Sequence, residues 1–270
     1  MRKIYISADV EGLNGITSFK QTLPEFVDDY AQMRPQLHFE LNALIQGLKN
    51  AGVEEIVIND AHNTMTNITL TELPEDITLI SGKPKKVSMM YGLDESFDGV
   101  IFFAYHAMAT SSGVLAHTFN TKFKSVWLNN QKISEAILNG IYAKYFDVPI
   151  ILATGDDVFC SEIKKDLPDL QTITTKKVIS STAAICEKND ILAQNYIKAG
   201  ENIKSFAECN YQISDFYELK VEVETEPLAK SIAEEIGITY ETNFVVVKSS
   251  DYVEIYTTLQ KISASINNKN

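Results

Sequence analysis

The sequence predicts an α/β fold: a largely parallel sheet flanked by helices, with a smaller C-terminal α+β subdomain. Three observations predict it. A strand, a long amphipathic helix and a second strand follow one another with short joints in the first 59 residues, the signature of a right-handed parallel βαβ unit. Two later segments, 99–105 and 148–154, are nearly all apolar, as expected of strands covered on both faces. After about residue 200 the texture changes to alternating apolar and charged positions, which suits a strand with one wet face. The expected organisation is an α/β core over 1–200 and a smaller β-α-β-α subdomain over 201–270 packed on it.

Lys3 to Ala8 (KIYISA) is short, β-branched and aromatic, hence a strand, and it runs into the loop Asp9-Val10-Glu11-Gly12. From about Glu25 to Asn50, Met33, Leu37, Leu41, Leu44, Ile45 and Leu48 recur at spacings of three and four. They make one face of a long helix, with Gly52 placed as its C-terminal cap. Glu55 to Asn59 is the second strand, followed by the polar loop Asp60-Ala61-His62-Asn63. Gly99 to Tyr105 is a buried strand ending at His106. Lys124 to Leu128 and Gln131 to Ile133 flank Asn129-Asn130, a hairpin turn. Ser134 caps a helix that buries Ile137, Leu138, Ile141, Tyr142 and Tyr145. Val148 to Thr154 is a further buried strand ending at Gly155-Asp156-Asp157. Tyr217 to Glu224 and Thr242 to Lys248 read as strands, Leu228 to Ile236 and Tyr252 to Ile266 as helices.

With 270 residues, 45% hydrophobic and 22% charged, the chain has the material for a sizeable core. Its net charge of −12 repels phosphate backbones and anionic membrane surfaces, so neither a nucleic acid nor a membrane is expected as partner. Three cysteines (Cys160, Cys186, Cys209), none in a C-x-x-C pair, supply no disulfide framework. The basic start Met1-Arg2-Lys3 is interrupted by Asp9 and Glu11 before a signal h-region can form. The longest apolar runs fall far short of the ~20 residues of a spanning helix. A cytoplasmic protein is the expectation.

In open parallel sheets ligands collect at the carboxyl ends of the strands. Asp9 and Glu11 stand there after the first strand, Asp60 and His62 after the second, and His106 after the third, with His117 in the following loop. Glu135 opens the helix behind the hairpin. Of only four histidines, three lie in or beside these loops; the fourth, His38, reads as a partly exposed helix residue without function. Asp9, Glu11, His62, His106 and Glu135 offer mixed oxygen and nitrogen ligands, generous for one tetrahedral ion and suited to two ions sharing a carboxylate. Without thiolate, such a set fits zinc, manganese or cobalt better than calcium. Each residue also has a plainer reading. Asp9 and Glu11 can be loop acids, His62 a turn residue and His106 a satisfied core histidine. Glu135 is favoured at a helix start without any metal. Asp156 and Asp157 read as a turn and helix cap, Asp156 also as a supporting contact; Phe103 and Tyr105 read as core. There is no H-E-x-x-H, Walker loop, G-x-G-x-x-G or G-x-S-x-G.

The segment Ser7-Ala8-Asp9-Val10-Glu11-Gly12 resembles the S-x-D-x-E-G motif of the dipeptide-operon D-aminopeptidase family of zinc peptidases. In the family's order follow Asn59-Asp60-Ala61-His62, Tyr105-His106-Ala107, His117, Glu135 and Gly155-Asp156-Asp157. The resemblance covers roughly residues 3 to 190 well and the last 70 or so loosely. It implies a dinuclear zinc centre held by Asp9, Glu11, His62, His106 and Glu135, with His117 as the catalytic histidine. It further implies aminopeptidase action on short peptides, D-amino-acid dipeptides such as D-Ala-D-Ala among them, and a ring-like homo-oligomer whose sites face an inner chamber.

The reaction expected on this basis is metal-assisted amide hydrolysis by activated water. Asp9, nearest its strand end, is the choice for the shared carboxylate. His117 either passes a proton to the leaving amine, the favoured role, or attacks directly. Two rivals remain. A two-metal phosphoesterase would want extra Lys or Arg to hold phosphate, and the candidate loops offer only Lys122 and Lys124. A metal-stabilised peptide-binding protein without turnover would leave His117 without a task.

Overall fold

The computed structural model describes residues 1–203 and 213–269. Cys209 lies outside them; Cys160 and Cys186 are free thiols. The strands are β1 (Lys3–Ala8), β2 (Glu55–Asp60), β3 (Ile77–Ile80), β4 (Gly99–Tyr105), β5 (Ser125–Leu128), β6 (Gln131–Lys132), β7 (Ile150–Asp156), β8 (Gln171–Ser180), β9 (Ala183–Cys186), β10 (Tyr217–Glu222), β11 (Thr239–Glu241) and β12 (Phe244–Ser249). The helices are α1 (Val27–Asn50), α2 (Glu135–Lys144), α3 (Asp157–Asp166), α4 (Asn189–Glu201), α5 (Glu226–Ile236) and α6 (Tyr252–Asn267).

Seven strands form the main sheet in the order β3-β2-β1-β4-β7-β8-β9, all parallel except the edge pair β8–β9. The predicted α/β class, with its largely parallel sheet, is the observed one. Period-two alternation divides the strands between two layers of core. Ile4, Ile6, Ile101 and Phe103 face α1 and α4, whereas Tyr5, Val100 and Phe102 face α2, α3 and α6. The second sheet, antiparallel and ordered β11-β12-β10-β5-β6, takes two strands from before residue 200 and three from after it. The Asn129-Asn130 turn has both residues at positive φ (48° and 67°), which matches the twist of a two-residue hairpin. Ser134 caps α2 by accepting the Ile137 N–H at 3.1 Å.

Two features position the site. The chain winds outward from β1 to β2 and β3, then crosses back to lay β4 against the other side of β1. That reversal, between β1 and β4, is the crevice where open α/β sheets bind ligands. The second feature is a bulge in β4. Phe102 pairs with Ala153 but Tyr105 with Gly155, so one extra residue sits in β4. It is Ala104, held at φ 55° with its N–H donated to Thr154 Oγ1 at 2.8 Å. The extra residue resets the alternation, so that Tyr105 joins the core layer of Phe102 while Ala104 joins that of Phe103. Bulges re-aim the side chains that follow them, and the next residue is His106.

Among the described residues, no helix is long and apolar enough to cross a membrane.

Candidate metal centre

Three neighbouring strands deliver the first ligand-type side chains. Ala8 stands in register with Asp60 on one side and Phe103 on the other. The loops that follow β1, β2 and β4 therefore leave the sheet side by side. The β1 loop stays against β4 through Asp9 N–H to Phe103 O at 2.9 Å and Gly12 N–H to Ala104 O at 2.8 Å. Gly12 is required there: a Cβ would lie 2.2 Å from Tyr105 O. Ser7 of the same motif points away from the cluster. Its hydroxyl donates to Met89 O at 2.8 Å and lies 2.7 Å from Tyr105 Oη. Asn139 Nδ2 donates to Tyr105 Oη and Asn139 Oδ1 accepts from Tyr256, a buried network locking β1, β4, α2 and α6 together.

All six singled-out side chains meet. His62 Nδ1 is 3.1 Å from Asp9 Oδ1 and 3.1 Å from Glu11 Oε2. His106 Nε2 is 3.5 Å from Asp9 Oδ2 and 3.3 Å from Glu135 Oε1, and His117 Nε2 is 3.8 Å from that same Glu135 oxygen. Two groups of ligand atoms result, Asp9 with Glu11 and His62, and His106 with His117 and Glu135. The two oxygens of Asp9 face one group each. The imidazoles of His106 and His117 stack at 3.9 Å between centroids, 11° from parallel. His117, separated from the other five in the sequence reading, thus stands within ligand reach of the second group. Its side chain is 14% exposed, the most open of the six.

Each histidine spends one ring nitrogen on a backbone carbonyl, which can only accept. His62 Nε2 donates to Thr22 O at 2.8 Å, His106 Nδ1 to Ala107 O at 3.1 Å and His117 Nδ1 to Leu115 O at 2.9 Å. The other nitrogen of each faces carboxylate oxygen. A lone pair opposite a carboxylate at 3.1–3.5 Å is repulsive unless a proton or a cation lies between. Carbonyl-oriented histidines are what metal ligation requires. Glu11 Oε2 is buried and makes no hydrogen bond. Among the described residues, no Lys or Arg pairs with Asp9, Glu11 or Glu135; every ion pair they make is with histidine. Three buried carboxylates without a basic counter-ion, one carrying an orphaned oxygen, fit a multivalent cation.

Without such an ion, protons do the compensating. Burial first and Glu11 second raise Asp9 to about 7. Burial works to raise Glu11 as well, but His62, His117 and His106 hold it well below the carboxylate range. Burial works to lower His62, yet Glu11 and Asp9 hold it well above the imidazole range. Against burial, Glu135 and then Asp9 raise His106 to about 10, and His106 leads the groups that lower Glu135 despite its burial. His117 differs: burial, then the neighbouring His106, push it below its ordinary value.

Other residues of these loops serve as supports. Asp60 accepts from Asn67 N at 2.5 Å and Ile68 N at 2.9 Å, shaping the loop that carries His62. Asp156 caps α3 through Phe159 N at 2.7 Å, the cap read in the sequence, and also holds Val114 N at 2.7 Å in the His117 loop. Asp157 Oδ1 accepts from Val178 N at 2.8 Å. Phe103 and Tyr105 are core, as read. His38 corrects its reading: it is buried, 4% exposed. Its Nδ1 donates to Arg34 O at 2.7 Å and its Nε2 accepts from Thr69 N at 2.9 Å. The loop after His62 folds back over α1 and covers it. Sequence reasoning missed Phe19, edge-on to His117 at 5.8 Å, and Lys176, whose ammonium reaches the β1 loop.

The family model described as D-aminopeptidase matches residues 1–261, so the similarity runs well beyond the 3–190 stretch where the motifs lie. A curated relative, the D-aminopeptidase of Bacillus subtilis, is 34% identical over 188 residues, covering 68% of this chain and 67% of the relative. A solved structure described as the Zn-dependent D-aminopeptidase DppA from Bacillus subtilis, a self-compartmentalizing protease, superposes with a TM-score of 0.92. It is 26% identical, with 99% of each chain covered. On the breadth of the family match and the identity to the curated relative, this chain belongs to the D-aminopeptidase family of peptidases.

Proposed function

We propose that this protein is a zinc-dependent D-aminopeptidase that cleaves short peptides, D-amino-acid dipeptides such as D-Ala-D-Ala among them. In this reading Asp9, Glu11, His62, His106 and Glu135 hold two ions, and His117 handles the proton. One observation carries it. Three histidines each commit one nitrogen to a backbone carbonyl and turn the other into three buried carboxylates that have no basic partner among the described residues. That donor set is what a pair of divalent cations needs, and Asp9, with one oxygen toward each group, suits the shared position. Zinc, when bound, would supply Lewis-acid polarisation of the scissile carbonyl and make water nucleophilic near neutral pH.

The chain's own residues do the remaining work. Glu135 Oε1 also accepts the Phe119 N–H at 2.5 Å, which fixes the end of the His117 loop against α2. His117, whose burial disfavours the charged ring, can take up a proton and release it to the departing amine. Its Leu115 contact orients the ring and leaves Nε2 free for that transfer. Phe19 packs edge-on to His117 at 5.8 Å between ring centroids. A self-compartmentalizing relative supports a homo-oligomer whose sites face an interior space.

Among the described residues, no Lys or Arg ion-pairs with the carboxylates of the cluster, where a phosphate would need a cation. The Lys122 ammonium donates to Ile266 O at 3.2 Å, so it serves the end of α6 rather than a ligand.

The test offers D-Ala-D-Ala, L-Ala-L-Ala and p-nitrophenyl phosphate to zinc-loaded protein. Amine release from the D-dipeptide above the L-isomer is expected, with no phosphate released. Phosphate release, or peptide binding without cleavage, would overturn the reading.

A further inference from the structure

Lys176 lies in β8 opposite Asp156 and is 1% exposed. Its ammonium donates to three backbone carbonyls, Glu11 O at 2.5 Å, Leu13 O at 2.7 Å and Ile16 O at 2.6 Å. An ammonium has three donors, and all three are spent on the loop that carries Asp9 and Glu11. Among the described residues it forms no ion pair, the arrangement that would ordinarily offset the cost of burying a charge. Burial lowers its pKa to about 8, with Asp156 and Glu40 leading the charges that oppose the fall. A lysine used only to fill space here would be better replaced by methionine.

The strand itself is adapted to this contact. Gly155 pairs with Thr174 but Asp156 with Lys176, so Thr175 is an extra residue in β8. In a regular strand Thr175 and Lys176 would face opposite sides. Here both are buried and both reach the same loop, with Thr175 Oγ1 donating to Gly12 O at 2.5 Å. The carbonyls of residues 11, 12, 13 and 16 are thus gathered toward one bulge. With its carbonyl so tied, Glu11 stands with its carboxylate 3.1 Å from His62 Nδ1.

We propose that Lys176 is a positioning residue for the metal centre: by drawing the Glu11, Leu13 and Ile16 carbonyls together, it fixes where the Asp9 and Glu11 carboxylates stand. The proposal rests on the reading of that cluster as a zinc site. Partners that orient metal ligands are worth 10–100-fold in metal affinity, and the same scale applies to this clamp.

The experiment titrates zinc into chelator-stripped protein against a chromophoric chelator, with the melting temperature of each metal-free variant recorded alongside. The variants are Lys176→Met, Thr175→Val and Tyr196→Phe. Tyr196 donates to Glu40 at 2.7 Å and lies 3.2 Å from Thr154 Oγ1, and Glu40 in turn accepts from Asn14 N at 2.8 Å. Its loss loosens the buried network but leaves the Ala104 N–H to Thr154 bond and the bonds of residues 9–13 in place. Affinity is expected to fall about 10–100-fold in Lys176→Met, several-fold in Thr175→Val, and not at all in Tyr196→Phe. Wild-type affinity in Lys176→Met would overturn the proposal. So would an affinity loss that merely follows melting temperature across the three variants. Should Lys176→Met fail to fold, the comparison of Thr175→Val with Tyr196→Phe decides the matter. Absence of zinc binding by the wild-type protein would instead overturn the site reading, and the proposal with it.

Discussion

Replacing Gly12 with alanine tests whether the β1 loop must touch the β4 backbone for the site to work. The added Cβ would lie 2.2 Å from Tyr105 O, 2.4 Å from Ala104 C and 2.6 Å from Ala104 O. A carbon normally stops at about 3.3 Å from a carbonyl oxygen. The contacts are backbone atoms of a central strand, so no side chain can rotate aside, and the loop must retreat by about 1 Å. The Gly12 N–H to Ala104 O bond would be stretched out of range. Overpacking of this kind costs about 1–3 kcal/mol and the lost hydrogen bond about 1 more. For a chain of this size that lowers the melting temperature by roughly 5–15 °C. The same shift moves Asp9 away from His106, now 3.5 Å apart, and a 1 Å misplacement costs about 100-fold in rate. Differential scanning fluorimetry, zinc content by elemental analysis and D-Ala-D-Ala hydrolysis measure the three effects. A Gly12→Ala protein that melts and turns over like wild type would refute the reasoning.

Replacing His117 with alanine should leave zinc content intact while turnover falls about 100- to 10,000-fold; undiminished hydrolysis would refute its catalytic role. Stripping the metal should lower the melting temperature by about 10 °C, since zinc at 1,000 times its dissociation constant stabilises by about 4 kcal/mol, and a melt indifferent to chelator would contradict the buried-carboxylate argument. Lys85 supplies a pH prediction. Its ammonium donates to Asn59 Oδ1 and, at 2.6 Å, to Asp60 O, and burial lowers its pKa from 10.5 to about 8. The unfolded chain therefore binds the extra proton between pH 8 and 10.5, so this group's contribution to stability rises as pH climbs through that window. After discounting for solvent screening the gain is about 1–2 kcal/mol. Chemical denaturation at pH 8 and 10 should show a rise in both wild type and Lys85→Met, because Lys176 is lowered over the same window, and the rise should be larger in wild type by the Lys85 share; equal rises in the two would refute it.

The parts legible in the sequence were those governed by local period. α1 showed its apolar stripe, β1 and β2 their short branched runs, and the strand-end positions of Asp9, His62 and His106 followed from these. What stayed hidden depended on distant or non-periodic partners. The β4 segment is apolar throughout, so nothing in it betrays the extra residue at Ala104. Lys176 sits beside Lys177 in a polar stretch that reads as solvated, and only the Thr175 bulge turns it inward. His38 occupies a helix face that a loop thirty residues later covers. The Asn129-Asn130 hairpin was readable as a turn, but its sheet partner, with Leu128 opposite Leu219, lies some ninety residues downstream.

That late pairing bears on timing. Glu135 starts the helix directly after the β5–β6 ribbon, and that ribbon is anchored by β10, among the last quarter of the polypeptide to leave the ribosome. A nascent chain of two hundred residues already carries every acid and imidazole of the cluster and the β4 strand that α2 packs on, yet it lacks β10 beside the ribbon and the α6 tyrosine that bonds Asn139. Because domains fold as units, the brace behind Glu135 is complete only once that last quarter has emerged.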